Sequence, residues 1–155
     1  MDLQEQYEKL LRYCYMKTKD RCIAEDIVQE TFLRFWQSKS YKDTGKEQAY
    51  LYTIARNLCM DEFRRPSAQS IDDHVEMVED VRAGADEVVE KMAIEQALDS
   101  IPEELKELVV LRYMNEISVS DISKMMHMSR FAVYRRIKEG LALLQSIMKE
   151  SEGGR

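Results

Sequence analysis

Apolar residues recur in steps of three and four through the first third of the chain. Tyr7, Leu10, Leu11, Cys14 and Tyr15 share one helical face, Ala24, Ile27, Val28, Phe32, Phe35 and Trp36 a second, and Leu51, Ile54, Ala55 and Leu58 a third. Three such faces can close on one core. No run alternates with the period of two that marks a strand, and five glycines and two prolines in 155 residues leave long helical stretches unbroken. The pattern predicts an all-α protein. Past Arg65 it fails: Pro66 opens PSAQSIDDHVEMVEDVRAGADEVVE, where apolar residues thin out and acids crowd, as in a linker. Helical patterning resumes over Glu90–Asp99, and Pro102 fits the first turn of a further helix reaching about Tyr113. The expected organisation is two small helical domains, residues 1–65 and 91–150, joined by an acidic linker, 66–90, and followed by a disordered tail, 151–155.

The segment NEISVSDISKMMHMSRFAVYRRIKEGLALLQSIM carries a finer signal. Ser118 or Ser120 can cap a short helix ending at Met126, His127 and Met128 make a tight turn, and Ser129 can cap a longer helix. This is helix-turn-helix spacing. In the last helix Val133, Ile137, Leu141 and Leu144 fall on one face; Phe131, Arg135, Lys138 and Ala142 point away, with Tyr134 and Arg136 on the flanks. A recognition helix needs this layout, because its N-terminal half enters the major groove, where Arg or Lys donates to guanine and neighbouring cations grip phosphate. A bare cationic face is ordinarily just solvated; the capped turn ahead of it favours DNA.

The formal net charge of −6 does not argue against that reading, because it is unevenly placed. Residues 1–65 carry 12 basic and 11 acidic side chains, 66–90 carry 1 and 8, and 91–155 carry 10 of each. The acidity is the linker's, and both flanking bodies are near neutral. Cys14, Cys22 and Cys59 lack CxxC spacing, and His74 and His127 are remote from them, so neither a disulfide framework nor a metal site is expected; the three thiols read as small buried hydrophobes. The chain starts on polar MDLQEQYEKL, and no apolar run approaches the ~20 residues that span a bilayer. A cytoplasmic protein without direct membrane insertion is expected. With no Gly-rich phosphate loop and no nucleophile–base pair, neither an enzyme, a cofactor nor a small-molecule substrate is indicated.

Two longer segments are more specific. DRCIAEDIVQETFLRFWQ followed by KEQAYLYTIARNLCMDEFRR resembles region 2 of bacterial RNA polymerase sigma factors, and IPEELKELVVLRYMNEISVSDISKMMHMSRFAVYRRIKEGLALL is similar to their region 4. Order and spacing resemble the small extracytoplasmic-function (ECF) group of the sigma-70 family. The resemblance implies a factor that binds core RNA polymerase and directs it to promoter DNA through minus-10 and minus-35 elements. It places core docking on Asp26, Gln29, Glu30 and Leu33, a stripe at i, i+3, i+4 and i+7. Minus-10 contacts fall to Tyr50, Thr53, Arg56, Asn57, Arg64 and Arg65, with the loop Tyr41–Lys46 setting base preference and Tyr52 packing in the core. Tyr50 stands where the family often has Trp. Minus-35 contacts fall to Arg130, Phe131, Tyr134, Arg135, Arg136 and Lys138.

The family also implies that the linker acids Asp72, Asp73, Glu76, Glu79 and Asp80 follow the RNA exit path, and that an anti-sigma factor holds the chain inactive. Region 4 departs from the usual pattern at His127, where a turn glycine is common, at Ala132, where threonine is, and at Glu139, where many relatives carry arginine. Glu139 can repel phosphate, accept from cytosine N4, or hold Arg135 or Arg136 in position. The alternative reading is an autonomous helix-turn-helix regulator, which has no need of the first 65 residues.

Overall fold

The computed structural model describes residues 3–38, 47–64 and 93–153, and every regular element among them is helical. The chain divides into two compact units. In the first, α1 (Leu3–Thr18), α2 (Arg21–Gln37) and α3 (Glu47–Arg64) each pack on the other two. The junction between α1 and α2 is local chemistry. Thr18 Oγ1 donates to the Cys14 carbonyl at 2.9 Å, Lys19 turns left-handed at φ 60°, and Asp20 Oδ1 accepts from the Ile23 N–H at 3.1 Å, capping α2. The core joins Leu10, Tyr13 and Cys14 to Ala24, Ile27, Val28 and Phe32 and to Leu51, Tyr52, Ile54, Ala55 and Cys59.

The three apolar stripes therefore meet as expected, with two corrections. Trp36 lies at the last turn of α2 and is 59% exposed, its ring only touching Phe32 at 5.5 Å. Tyr13, which the periodicity passes over, is fully buried edge-on to Tyr52 at 5.7 Å. Cys14 and Cys59 are buried, but Cys22 is exposed, because the second residue of α2 faces away from the bundle.

The second unit contains the helical residues 93–99, here α4, then α5 (Glu103–Val109), α6 (Val119–Met126) as far as Ser123, and α7 (Arg130–Gly153). The helix expected to reach Tyr113 does so by widening: α5 runs on into a π-turn, Val110–Met114, where Asn115 N–H bonds back to the Val110 carbonyl at 3.0 Å. Lys106, nearly buried, joins α5 to α4 through Asp99 at 2.6 Å. Helix α7 lies close on α5, and Gly140 marks where. A Cβ there would stand 2.9 Å from Val109 Cγ2 and 3.5 Å from Leu105 Cβ. A mid-helix glycine is unfavourable by ~1 kcal/mol against alanine, so its place here follows from the close approach.

Candidate nucleic-acid interface

Between α2 and α3 runs an open groove of about 450 Å³ with an apolar floor of Ile23, Ile27 and Leu58 and four carboxylates, Asp26, Glu30, Asp61 and Glu62, along it. Of the docking stripe read from the sequence, Asp26 and Glu30 line it on the α2 side, while Gln29 and Leu33 lie outside it. Asp26 and Gln29 are exposed, Leu33 is 54% exposed, and Glu30 is half-exposed with Oε2 held by Arg34 Nε at 2.8 Å. Asp61 and Glu62, on the α3 side, were not legible as part of this groove, because pairing α3 with α2 is a tertiary event. The rim is anionic over an apolar floor, which suits a cationic partner helix.

On α3, Tyr50, Thr53, Asn57 and Arg64 follow helical spacing along one stripe, with Arg56 on its flank. Asn57 and Arg64 are exposed, Arg64 lying 3.6 Å from Asp61. Tyr50 is half-buried with its ring 5.9 Å from that of Phe35, Thr53 Oγ1 donates to the Ala49 carbonyl at 2.7 Å, and Arg56 Nη1 meets the Met60 sulfur at 3.4 Å. Tyr52 is core, as expected. Arg65, the loop 41–46 and the linker acids lie outside the described residues.

The helix-turn-helix is built as the serines suggest. Ser118 Oγ accepts from the Asp121 N–H at 3.1 Å and Ser129 Oγ from the Ala132 N–H at 3.0 Å. His127 adopts φ 55°, so the residue standing where a turn glycine is common takes a glycine-like conformation, and Ser123 Oγ fastens the turn on the Met128 carbonyl at 2.6 Å. Val133 and Ile137 are buried, while Arg130, Phe131, Tyr134, Arg135 and Lys138 are exposed, with Phe131, Arg135 and Lys138 on the side of α7 away from the buried pair. Arg136 is placed differently from the other candidates. Its guanidinium is ion-paired with Glu104 in the first turn of α5. The carboxylate that holds it is therefore Glu104 and not Glu139, a pairing across 32 residues of sequence that helix periodicity does not reveal.

Two helical units, one ending in a capped recognition helix, define a DNA-binding protein of a recognisable class. The chain matches the family model for sigma-70 region 2 over residues 3–69 and that for sigma-70 region 4 over residues 91–144. It belongs to the sigma-70 family of RNA polymerase sigma factors, in the ECF group, and acts by directing transcription to promoters. Among its relatives are the ECF RNA polymerase sigma factors SigW and SigM of Bacillus subtilis (strain 168). SigW is 25% identical over 158 residues, covering 92% of this chain and 84% of SigW. SigM is 27% identical over 137 residues, covering 83% and 84%. The fold is shared with the sigma factor RpoE of Bartonella quintana, solved with the anti-sigma factor NepR, at a TM-score of 0.74, 19% identity, and coverage of 95% of this chain and 94% of that one. It is shared too with CnrH, solved with the cytosolic domain of CnrY, at a TM-score of 0.67 and 19% identity over 95% and 84%.

Proposed function

We propose that this sigma factor docks core RNA polymerase through the α2 stripe Asp26, Gln29, Glu30 and Leu33, of which Asp26 and Glu30 line the acidic groove. It reads the minus-10 element with one stripe of α3, half-buried Tyr50 and Thr53 and exposed Asn57 and Arg64, flanked by Arg56 and followed by Arg65. It reads the minus-35 element with Arg130, Phe131, Tyr134, Arg135 and Lys138 on α7; Arg136 serves as the strut that holds α7 to α5. The observation that carries this reading is the Ser129-capped helix α7, with cations and aromatic rings outward and its core face filled by Val133 and Ile137. The chain itself catalyses no reaction; the polymerase supplies the chemistry. Among the described residues no helix is long and apolar enough to cross a membrane, and the place of action is with the polymerase in the cytoplasm.

Adding the full chain to sigma-free core polymerase tests the function: initiation from a cognate promoter is expected, and none if the chain is a self-sufficient regulator. The autonomous-regulator reading is not favoured, because the match to region 2 gives the first unit a task such a regulator lacks. Since both RpoE and CnrH were solved with a partner, the former's described as an anti-sigma factor, a like inhibitor is proposed for this chain. A pull-down from native cells under repressing conditions should recover it; recovery of polymerase alone counts against it.

A further inference from the structure

Phe131 and Tyr134 are 75% and 62% exposed, the most exposed aromatic side chains among the described residues of the second unit. Packing does not account for them, because Val133 and Ile137 already fill the buried face of α7. They stand at i and i+3 in the first turns after the Ser129 cap, with Arg130 and Arg135 to either side and Lys138 one turn on from Tyr134. Phe131 therefore shares the outward surface with Arg135 and Lys138, and Tyr134 extends it along one flank. In a duplex major groove the edges of guanine, adenine and cytosine offer donors and acceptors, and the one apolar feature is the 5-methyl group of thymine. The N-terminal turns of a recognition helix are the part that reaches base edges.

From this juxtaposition we infer that Phe131, with Tyr134 on the next turn, reads thymine 5-methyl groups in the promoter duplex. Selectivity at those base pairs then comes from apolar contact, while Arg130, Arg135 and Lys138 supply hydrogen bonds and phosphate grip. The inference rests on α7 being the duplex-reading helix. It requires at least one A·T pair beneath the first two turns of α7, with its thymine on either strand.

The test uses holoenzyme reconstituted from core polymerase and the full chain, on a minus-35 element selected from a random library. Each thymine of that element is replaced in turn by deoxyuridine, which removes the methyl and leaves every hydrogen-bonding group in place. At one or two positions binding should weaken by about fourfold, the value of burying one methyl-sized group. In Phe131→Ala or Tyr134→Ala that ratio should fall toward one, and in Lys138→Ala it should persist; helicity of each variant confirms folding. Equal binding of thymine and deoxyuridine at every position overturns the inference, as does a ratio that survives in both aromatic variants, or a selected element of G·C pairs alone. A wild-type chain that gives no promoter-dependent product overturns the sigma-factor reading of α7 itself, a distinct outcome.

Discussion

Arg136 separates two kinds of cation on one helix. Arg135 and Lys138 face outward, whereas Arg136 is engaged by Glu104, and a partly exposed pair of this kind contributes ~0–1 kcal/mol to stability. If the pair acts as a strut, Arg136→Ala and Glu104→Ala should weaken duplex binding by holoenzyme equally, by ~0.5–1 kcal/mol, and the double variant should be no worse than either. A direct DNA contact by Arg136 would instead make Arg136→Ala the more damaging and leave Glu104→Ala neutral or tighter. The cysteines give a second residue-level expectation. A hydrogen bond with Cys59, then burial, pushes the Cys14 thiol far above its ordinary value of 9.0. Its folded value lies above the unfolded one, so its contribution to stability is complete below about pH 9 and is lost as pH rises beyond that. Urea unfolding should show stability falling above pH 9 by up to ~1.4 kcal/mol per pH unit from this group, and Cys14→Ala should flatten the slope by that amount. At neutral pH a thiol reagent should label exposed Cys22 rapidly and Cys14 and Cys59 only on unfolding.

Among elements, the close packing of α7 on α5 turns on Gly140. Alanine there gains ~1 kcal/mol of helix propensity but drives a methyl against the stiff Val109 side chain, and such overpacking costs ~1–3 kcal/mol. Gly140→Ala should therefore lower stability by ~1 kcal/mol in thermal or urea unfolding, and adding Val109→Ala should relieve the clash, a coupling that independent sites would not show. On α2 the proposed docking stripe is tested by charge reversal. Asp26→Lys should leave helicity intact and weaken association with core polymerase by ~1–3 kcal/mol. Glu30→Lys should do the same while also losing the Arg34 pair; normal association in both variants would move docking elsewhere. What the sequence made legible at this scale was whatever repeats with the helix: three stripes, two serine caps, the outward face of α7. What it hid was set by tertiary pairing. The sequence spacing of Glu104 and Arg136 says nothing of their contact, Asp61 and Glu62 join the groove only because α3 packs on α2, and Gly140 is explained only by Val109 across the interface. Trp36 went the other way, keeping the helical register of the core while the bundle ends before covering it.

At the scale of the whole molecule, the charge distribution separates a sigma factor from a self-sufficient regulator. Nonspecific DNA binding rests on counterion release by clustered cations, and this chain has none to spare: its flanking segments are near neutral and residues 66–90 carry 8 acids to 1 base. Its reading surfaces are small and lie in two separate units, so grip on a promoter has to come from the polymerase. The most direct test is to titrate one cognate promoter duplex, at fixed salt near physiological ionic strength, with the free full-length chain and with holoenzyme. Binding by the free chain should be weaker than ~1 μM, in the range of nonspecific association, and should become tight and sequence-selective once core polymerase is present. Tight and sequence-selective binding by the free chain alone would contradict that dependence on the polymerase.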